Sequence, residues 1–280
     1  MRGDLHCHST ASDGSLSPEE LVDYAARIGL DCLAVTDHDT MAGVPAARAR
    51  AAQKGIRLLD GMEVSACDPR TGRKVHLLLY APLHPEPVLE LCAGTLRARD
   101  RAAAAMIERL RGRYPIDGET VRRYAAGSAA VYKQHIMLAL GHMGYAQSVF
   151  GPLFGELFGS PDGWARVEVP YPDAREVVPL MKQSGGLCVL AHPGIYHSFG
   201  IVGELREQGL EGIEVCHPRQ SRADEQTARE AARCYGLLMT GGSDFHGFYS
   251  ARVNPLAART APEESLPEIF RRCGVPPAGG

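Results

Sequence analysis

Residues 31–40 read DCLAVTDHDT. A short apolar run, Cys32-Leu33-Ala34-Val35, stops abruptly at Asp37-His38-Asp39. An uninterrupted run of this kind predicts a strand buried on both faces, as in a parallel sheet, with the polar cluster at its C-terminal end. A helical pattern over 44–54 completes a strand–turn–helix unit, and the unit recurs outward in both directions. Upstream, 4–6 reads as a strand. Ser17-Pro18-Glu19-Glu20 reads as a capping box with Pro in the first turn, opening a helix that runs to Ile28 and ends at Gly29. Downstream, 56–64 and 75–80 predict the third and fourth strands.

The rhythm changes after residue 88. Helical patterns cover 88–113, 119–126, 133–142 and 147–158, with no convincing strand between them, so 90–165 reads as a helical insertion. Alternation resumes with a helix at 173–184 closed by Gly185-Gly186. A strand follows at 187–191, a helix at 201–208, a strand at 212–216, a helix at 222–235 and a strand at 237–240. A last helix at 264–272 precedes a frayed tail at 275–280. Strands alternating with helices predict an α/β fold, a closed or nearly closed parallel barrel whose core is 1–89 and 166–280.

Composition narrows the function classes. The 280 residues carry 30 Lys+Arg against 33 Asp+Glu, a formal net charge of -3, which argues against gripping duplex nucleic acid by bulk charge. The longest stretch without a charged residue, 184–203, holds two His, a Pro and five Gly and would break in a bilayer. Asp4, His6 and His8 occupy the place where an apolar signal region would begin, so a cytoplasmic protein is expected. The 8 cysteines are scattered without a C-x-x-C pair and read as reduced structural thiols.

The acids and histidines gather at strand ends. His6 and His8 follow the first strand, His38 the second, and Glu63 ends the third. His76 lies near the start of the fourth. His192, His217, and Asp244 with His246 follow the fifth, sixth and seventh. In a parallel barrel those ends converge on one face, where active sites are built. His-x-His and Asp-x-His on a strand end send both side chains to one side. Imidazoles and carboxylates without thiolates suit Zn²⁺, Mn²⁺ or Fe²⁺, and there are too many for one ion, so two or three divalent ions are expected.

The stretches DLHCHSTASDGS, AVTDHDT, GMEVSA, LAHPG and GGSDFH, in this order, resemble the motifs of the PHP (polymerase and histidinol phosphatase) family on both sides of the insertion. The resemblance implies a distorted (β/α)7 barrel bearing a two- or three-metal phosphoesterase site at the strand C-termini, with the insertion over the barrel mouth. Carried onto this chain, it implies a first metal on His6, His8, Glu63 and Asp244, and a second on Glu63, His76 and His192. A third would lie on Asp13, His38 and His246. Many relatives have His where this chain has Asp13, which could instead cap the Asp13-Gly14 turn. Asp37 and Asp39 are expected to orient His38 or cap the following helix. Such metals would neutralise the phosphate ester and generate hydroxide near neutrality. Asp244 is then central to catalysis, and His217 is either the general acid or a phosphate hydrogen-bond partner.

Within the insertion, VYKQHIMLAL (131–140) stands where nucleotide phosphatases of the family often carry Arg-Pro-His-Ile. Lys133 keeps the charge but loses the bidentate fork of Arg. The YKQHI form looks like the branch that hydrolyses phosphoribosyl 1,2-cyclic phosphate, so a small phosphorylated substrate is expected, with Lys133, His135, His197 and His217 as candidate contacts. The alternatives are a nucleotide phosphatase acting on AMP or a 3′,5′-nucleoside bisphosphate, and a short-oligonucleotide 5′-3′ exonuclease. A histidinol phosphatase and a non-catalytic PHP module complete the range. Arg97, Arg99 and Arg101 read as the polar side of a helix, Trp164 as a packing anchor, and His84 and His142 as surface or structural residues.

Overall fold

Parallel strands need a crossover of a dozen or more residues, and that requirement separates two kinds of connection in this chain. The computed structural model describes residues 1–159, 162–249 and 254–275; the tail expected to fray lies outside them from residue 276 on. The elements run β1 (Gly3–Asp4), α1 (Pro18–Arg27), β2 (Cys32–Val35), α2 (Val44–Lys54), β3 (Arg57–Asp68) and β4 (Arg73–Tyr80). Then come α3 (Glu86–Leu110), α4 (Gly118–Tyr124), α5 (Lys133–His142), α6 (Pro152–Phe158) and α7 (Ala174–Gln183). The chain finishes with β5 (Leu187–Leu190), α8 (Pro193–Tyr196), α9 (Val202–Gln208), β6 (Gly212–Cys216), α10 (Arg222–Tyr235), β7 (Leu238–Gly241) and α11 (Leu266–Arg272). One seven-stranded sheet follows chain order.

Four of the helix-linked neighbour pairs are parallel: β1 with β2, β2 with β3, β5 with β6, β6 with β7. The four residues between β3 and β4 permit only a hairpin. Asp68 holds its turn, its carbonyl accepting from the N–H groups of Thr71 and Gly72 at 3.1 and 2.8 Å, with Gly72 at φ 69°. β4 is therefore antiparallel to both β3 and β5, which corrects the all-parallel expectation. β3 also runs four residues past the predicted end to meet its partner. Beyond β1 and β7 the chain ends join: Leu5 N–H donates to Gly241 at 3.2 Å, His8 N–H to Phe245 at 2.8 Å, and Cys7 bridges Phe245 in parallel. The sheet thus nearly closes into a barrel.

Alternation along the strands sorts side chains between two cores. Met62, Val64, Leu77, Leu79, Ile213 and Val215 pack outward beneath α7, α9 and α10. Leu59, Leu78, Tyr80 and Val189 fill the barrel interior, which Leu266, Ile269 and Phe270 of α11 close from one end. Glu63, His76 and Glu214 share the inward parity of this second set. The capping box at α1 is formed, Glu20 N–H on Ser17 Oγ at 3.2 Å and Ser17 N–H on Glu20 Oε2 at 2.8 Å.

Helices α3 to α6 build a core of their own from Met106, Leu110, Ile136, Leu140, Leu157 and Phe158, and Trp164 packs against it. α6 starts at Pro152 rather than 147, because Pro fits a helix only in its first turn. No helix among the described residues is long and apolar enough to cross a membrane.

Candidate metal centre

Glu63 stands at the middle of the site. It projects inward from β3, and its two carboxylate oxygens face different partners. Oε1 lies 2.8 Å from His76 Nδ1 and 2.8 Å from His192 Nε2. Oε2 lies 3.4 Å from the Nε2 atoms of His6 and His8 and 3.0 Å from His38 Nδ1. The reversal of β4 explains how His76 joins. In a strand running opposite to its neighbours, a position near the start lies at the face where the others end.

Asp244 completes a group with His6, His8 and Glu63; its Oδ1 is 3.5 Å from His6 Nε2 and 3.1 Å from His8 Nε2. Asp13 forms another with His8, His38 and His246. Its Oδ1 is 3.3 Å from His246 Nε2, and its Oδ2 accepts from Gln134 Nε2 at 2.7 Å. His38, Glu63 and His76 make a third group, and His6, His192 and Glu214 a fourth. All nine residues singled out for metal binding therefore meet at one end of the barrel.

The donor set fits divalent cations. His6 Nε2, both ring nitrogens of His8, His38 Nδ1 and His192 Nδ1 are buried without a hydrogen-bond partner. Orphaned groups of this kind cost about 1–3 kcal/mol each. The His8 and His246 rings stack with centroids 4.1 Å apart. A cation that takes the lone pairs removes the cost of the orphaned nitrogens, and mixed imidazole and carboxylate donors match the ions expected from the sequence. Burial alone would raise the Glu63 carboxyl, but the imidazoles of His38, His76 and His6 hold it well below the usual range. Burial would lower His246, and Asp13 and Asp244 outweigh it, holding the imidazole at about 10. Asp39, His192 and Asp244 carry positive φ of 58°, 27° and 51°, a strain of about 1–3 kcal/mol each that clusters at functional sites.

Around these lies a supporting layer, part of which the sequence reading missed. Glu214 approaches His6 Nδ1 at 3.2 Å and accepts from the His192 N–H at 2.9 Å. A lone carboxylate at inward parity in the apolar run of β6 was the signal that could have found it. Asp4 accepts from Ser243 Oγ at 2.6 Å and N–H at 2.9 Å, joining the ends of β1 and β7. Asp37 accepts from Ser9 Oγ and Ser12 Oγ, both at 2.6 Å. Asp39 accepts from Ser65 N–H at 2.8 Å and from Arg99 at 3.1 Å. These two acids pin neighbouring loops; neither orients the His38 ring, and Gly43 is the N-cap of α2. Arg99, expected on a solvated face, instead turns inward, its side chain only 13% exposed and its guanidinium 4.5 Å from the Tyr132 ring centroid.

Three expected substrate contacts fall elsewhere. His217 is fully buried: Nδ1 accepts from the Arg219 N–H at 3.1 Å, so Nε2 carries the proton and meets Asp244 Oδ2 at 3.2 Å. Both nitrogens are engaged, which suits positioning of Asp244 rather than proton donation to a leaving group. His135 is buried, its Nδ1 accepting from the Tyr132 N–H at 3.1 Å at the start of α5. Its role there is to cap the helix. His197 is exposed at the left-handed end of α8, and the adjacent Tyr196 takes the inward place, its ring 4.8 Å from that of His76. Lys133 does face a cavity. The metal-binding groups open on a space of about 860 Å³ bordered by Phe150, Phe154, Tyr196, Arg219 and Tyr249. A side pocket of about 330 Å³, which holds Lys133, shares His38, His76 and Gln134 with it.

Known proteins resemble this chain over most of its length. Over 249 residues the chain is 41% identical to a phosphoribosyl 1,2-cyclic phosphate 1,2-diphosphodiesterase from Eggerthella lenta, covering 88% of this chain and 95% of that protein. It is 31% identical to a 5′-3′ exoribonuclease from Haemophilus influenzae, covering 87% and 89%. A solved structure from Bifidobacterium adolescentis, assigned as a metal-dependent phosphoesterase, superposes with a TM-score of 0.89 at 30% identity and 96% coverage of both chains. The model of the PHP domain matches residues 4–179, from the first strand, through the His and Glu positions of β1 to β4, into α7. This chain belongs to the PHP domain family.

Proposed function

We propose that this PHP phosphoesterase hydrolyses phosphoribosyl 1,2-cyclic phosphate. Water adds to phosphorus as one ring P–O bond breaks, giving a monoester; a second water then releases inorganic phosphate and leaves ribose 5-phosphate. The observation that carries the chemistry is the division of the Glu63 carboxylate between His76 and His192 on one oxygen and His6, His8 and His38 on the other. The substrate rests on the 41% identity to the E. lenta enzyme and on the YKQHI segment.

In this reading His6, His8, Glu63 and Asp244 hold a first divalent ion, and Glu63, His76 and His192 a second. Asp13, His38 and His246 hold a third. Mn²⁺, Fe²⁺ and Zn²⁺ all suit these donors. Such ions, when bound, neutralise phosphate oxygens and acidify water. The protein's own share is orientation. Glu214 fixes the His6 tautomer so that Nε2 faces the site, His217 holds Asp244, and Gln134 ties α5 to Asp13. Residues 90–165 act as a lid that selects the substrate, with Lys133 offering positive charge toward it.

The free state of all eight cysteines suits the reducing cytoplasm. Short oligonucleotides are the second reading, favoured by Phe150, Phe154, Tyr196 and Tyr249 beside the cavity, which offer stacking faces.

The test is phosphate release by the Mn²⁺-loaded protein from phosphoribosyl 1,2-cyclic phosphate, AMP, a 3′,5′-nucleoside bisphosphate and histidinol phosphate, with mononucleotide release from a short oligoribonucleotide measured beside it. Selective release from the cyclic ester is expected. Preference for a nucleotide or oligonucleotide overturns the substrate, and silence on all five overturns the reading as an enzyme of this class.

A further inference from the structure

The side pocket beside the metal-binding groups has an excess of positive charge, of which the reading above uses only Lys133. Lys74 from β4, Arg99 from α3, Lys133 from α5 and Arg166 from the segment before α7 all line it, against the carboxylates of Asp13 and Glu168. Arg99 is already matched by Asp39, and Arg166 pairs with Glu168. Neither Lys74 nor Lys133 forms an ion pair among the described residues; Lys74 Nζ rests over the Tyr171 and Tyr196 rings at 5.8 and 5.7 Å, and Lys133 Nζ over Phe158 at 5.9 Å. The Nε atoms of Arg99 and Arg166 are buried with no hydrogen-bond partner. Burial first, and then the neighbouring cations, lower Lys133 to about 8. Charges crowded in this way are unfavourable until an anion joins them.

We propose that this pocket is a second anion subsite, built on Lys74, Lys133 and Arg166, which takes the non-scissile phosphate of a substrate that carries two. The inference rests on the phosphoesterase reading and deepens it. The pocket shares His38, His76 and Tyr196 with the main cavity, so one small sugar phosphate can present its reacting ester to the metal-binding groups and its other phosphate to the cations. The 5-phosphate of phosphoribosyl 1,2-cyclic phosphate is such a group. A phosphate dianion gains charge-assisted hydrogen bonds from every one of these side chains, and its absence from a substrate leaves Lys74 and Lys133 without a counter-charge.

The experiment compares phosphoribosyl 1,2-cyclic phosphate with ribose 1,2-cyclic phosphate, which lacks only the 5-phosphate, using the full metal-loaded chain. The wild type should favour the phosphorylated ester by at least thirtyfold in kcat/KM. That ratio should fall at least tenfold in Lys74→Met and in Arg166→Met, and stay at the wild-type value in Arg101→Ala on the exposed face of α3. Equal use of both esters by the wild type, or a ratio untouched by Lys74→Met and Arg166→Met, overturns the subsite. If neither ester is cleaved, the substrate reading has failed, and the subsite is judged by titrating ribose 5-phosphate. Binding weakened at least tenfold in both variants upholds it; equal binding, or none to the wild type, overturns it.

Discussion

His217 lies beneath Asp244, with its Nε2 3.2 Å from the Asp244 Oδ2, while Oδ1 of the same carboxylate faces His6 and His8. One carboxylate is thereby held from behind by a neutral imidazole and presented forward to the metal-binding group. Supporting residues of this kind typically change metal affinity or activity 10- to 100-fold when removed. His217→Ala should weaken Mn²⁺ binding at least tenfold and lower phosphate release by a similar factor, while the basic limb of the pH–rate profile stays in place. Unchanged metal affinity with the basic limb lost would instead make His217 the general acid.

Close approach at the end of β7 makes a second prediction. A Cβ added at Gly242 would lie 2.5 Å from both the Cβ and the backbone N of His6, far inside van der Waals contact. Overpacking of this sort costs about 1–3 kcal/mol. Gly242→Ala should therefore lower Tm in the metal-free protein and shift His6 enough to reduce metal binding; an unchanged Tm would show that β1 and β7 are more loosely joined than the Leu5–Gly241 hydrogen bond indicates.

Lys133 provides a pH signature. Burial first, then Lys74 and Arg166, lower its pKa from 10.5 to about 8. The folded state favours the neutral amine, so the cation that would meet a phosphate is present below about pH 8 and lost as pH rises through it. In the free enzyme kcat/KM should fall along that limb, and Lys133→Arg, whose guanidinium stays charged, should move the limb upward. A limb at the same place in Lys133→Arg would assign it to another group.

Much of this site was legible because strand ends carry it. Apolar runs broken by Asp, His or Glu locate His6, His8, His38, Glu63, His192, Asp244 and His246 without any structure, since a barrel gathers strand ends whatever their separation in sequence. The direction of β4 was legible too, in a connection too short for a crossover, yet alternation alone made it one more parallel strand. What sequence could not supply are pairings set by tertiary approach. Arg99 meets Asp39 across sixty residues, and nothing in the repeat of α3 separates it from the exposed Arg97 and Arg101. His135 failed for the opposite reason, because a local hydrogen bond to the Tyr132 N–H outweighs the role its motif suggested.

The central claim is that Glu63 joins two metal-binding groups. The most direct measurement is divalent metal per chain after Mn²⁺ loading and removal of excess, with phosphate release measured on the same samples, in wild type and Glu63→Gln. The account predicts at least two ions per chain in the wild type. Glu63→Gln should lose at least half of that metal and at least a thousandfold in phosphate release, with an unchanged far-UV circular dichroism spectrum. A Glu63→Gln protein that keeps both its full metal content and its turnover would contradict it.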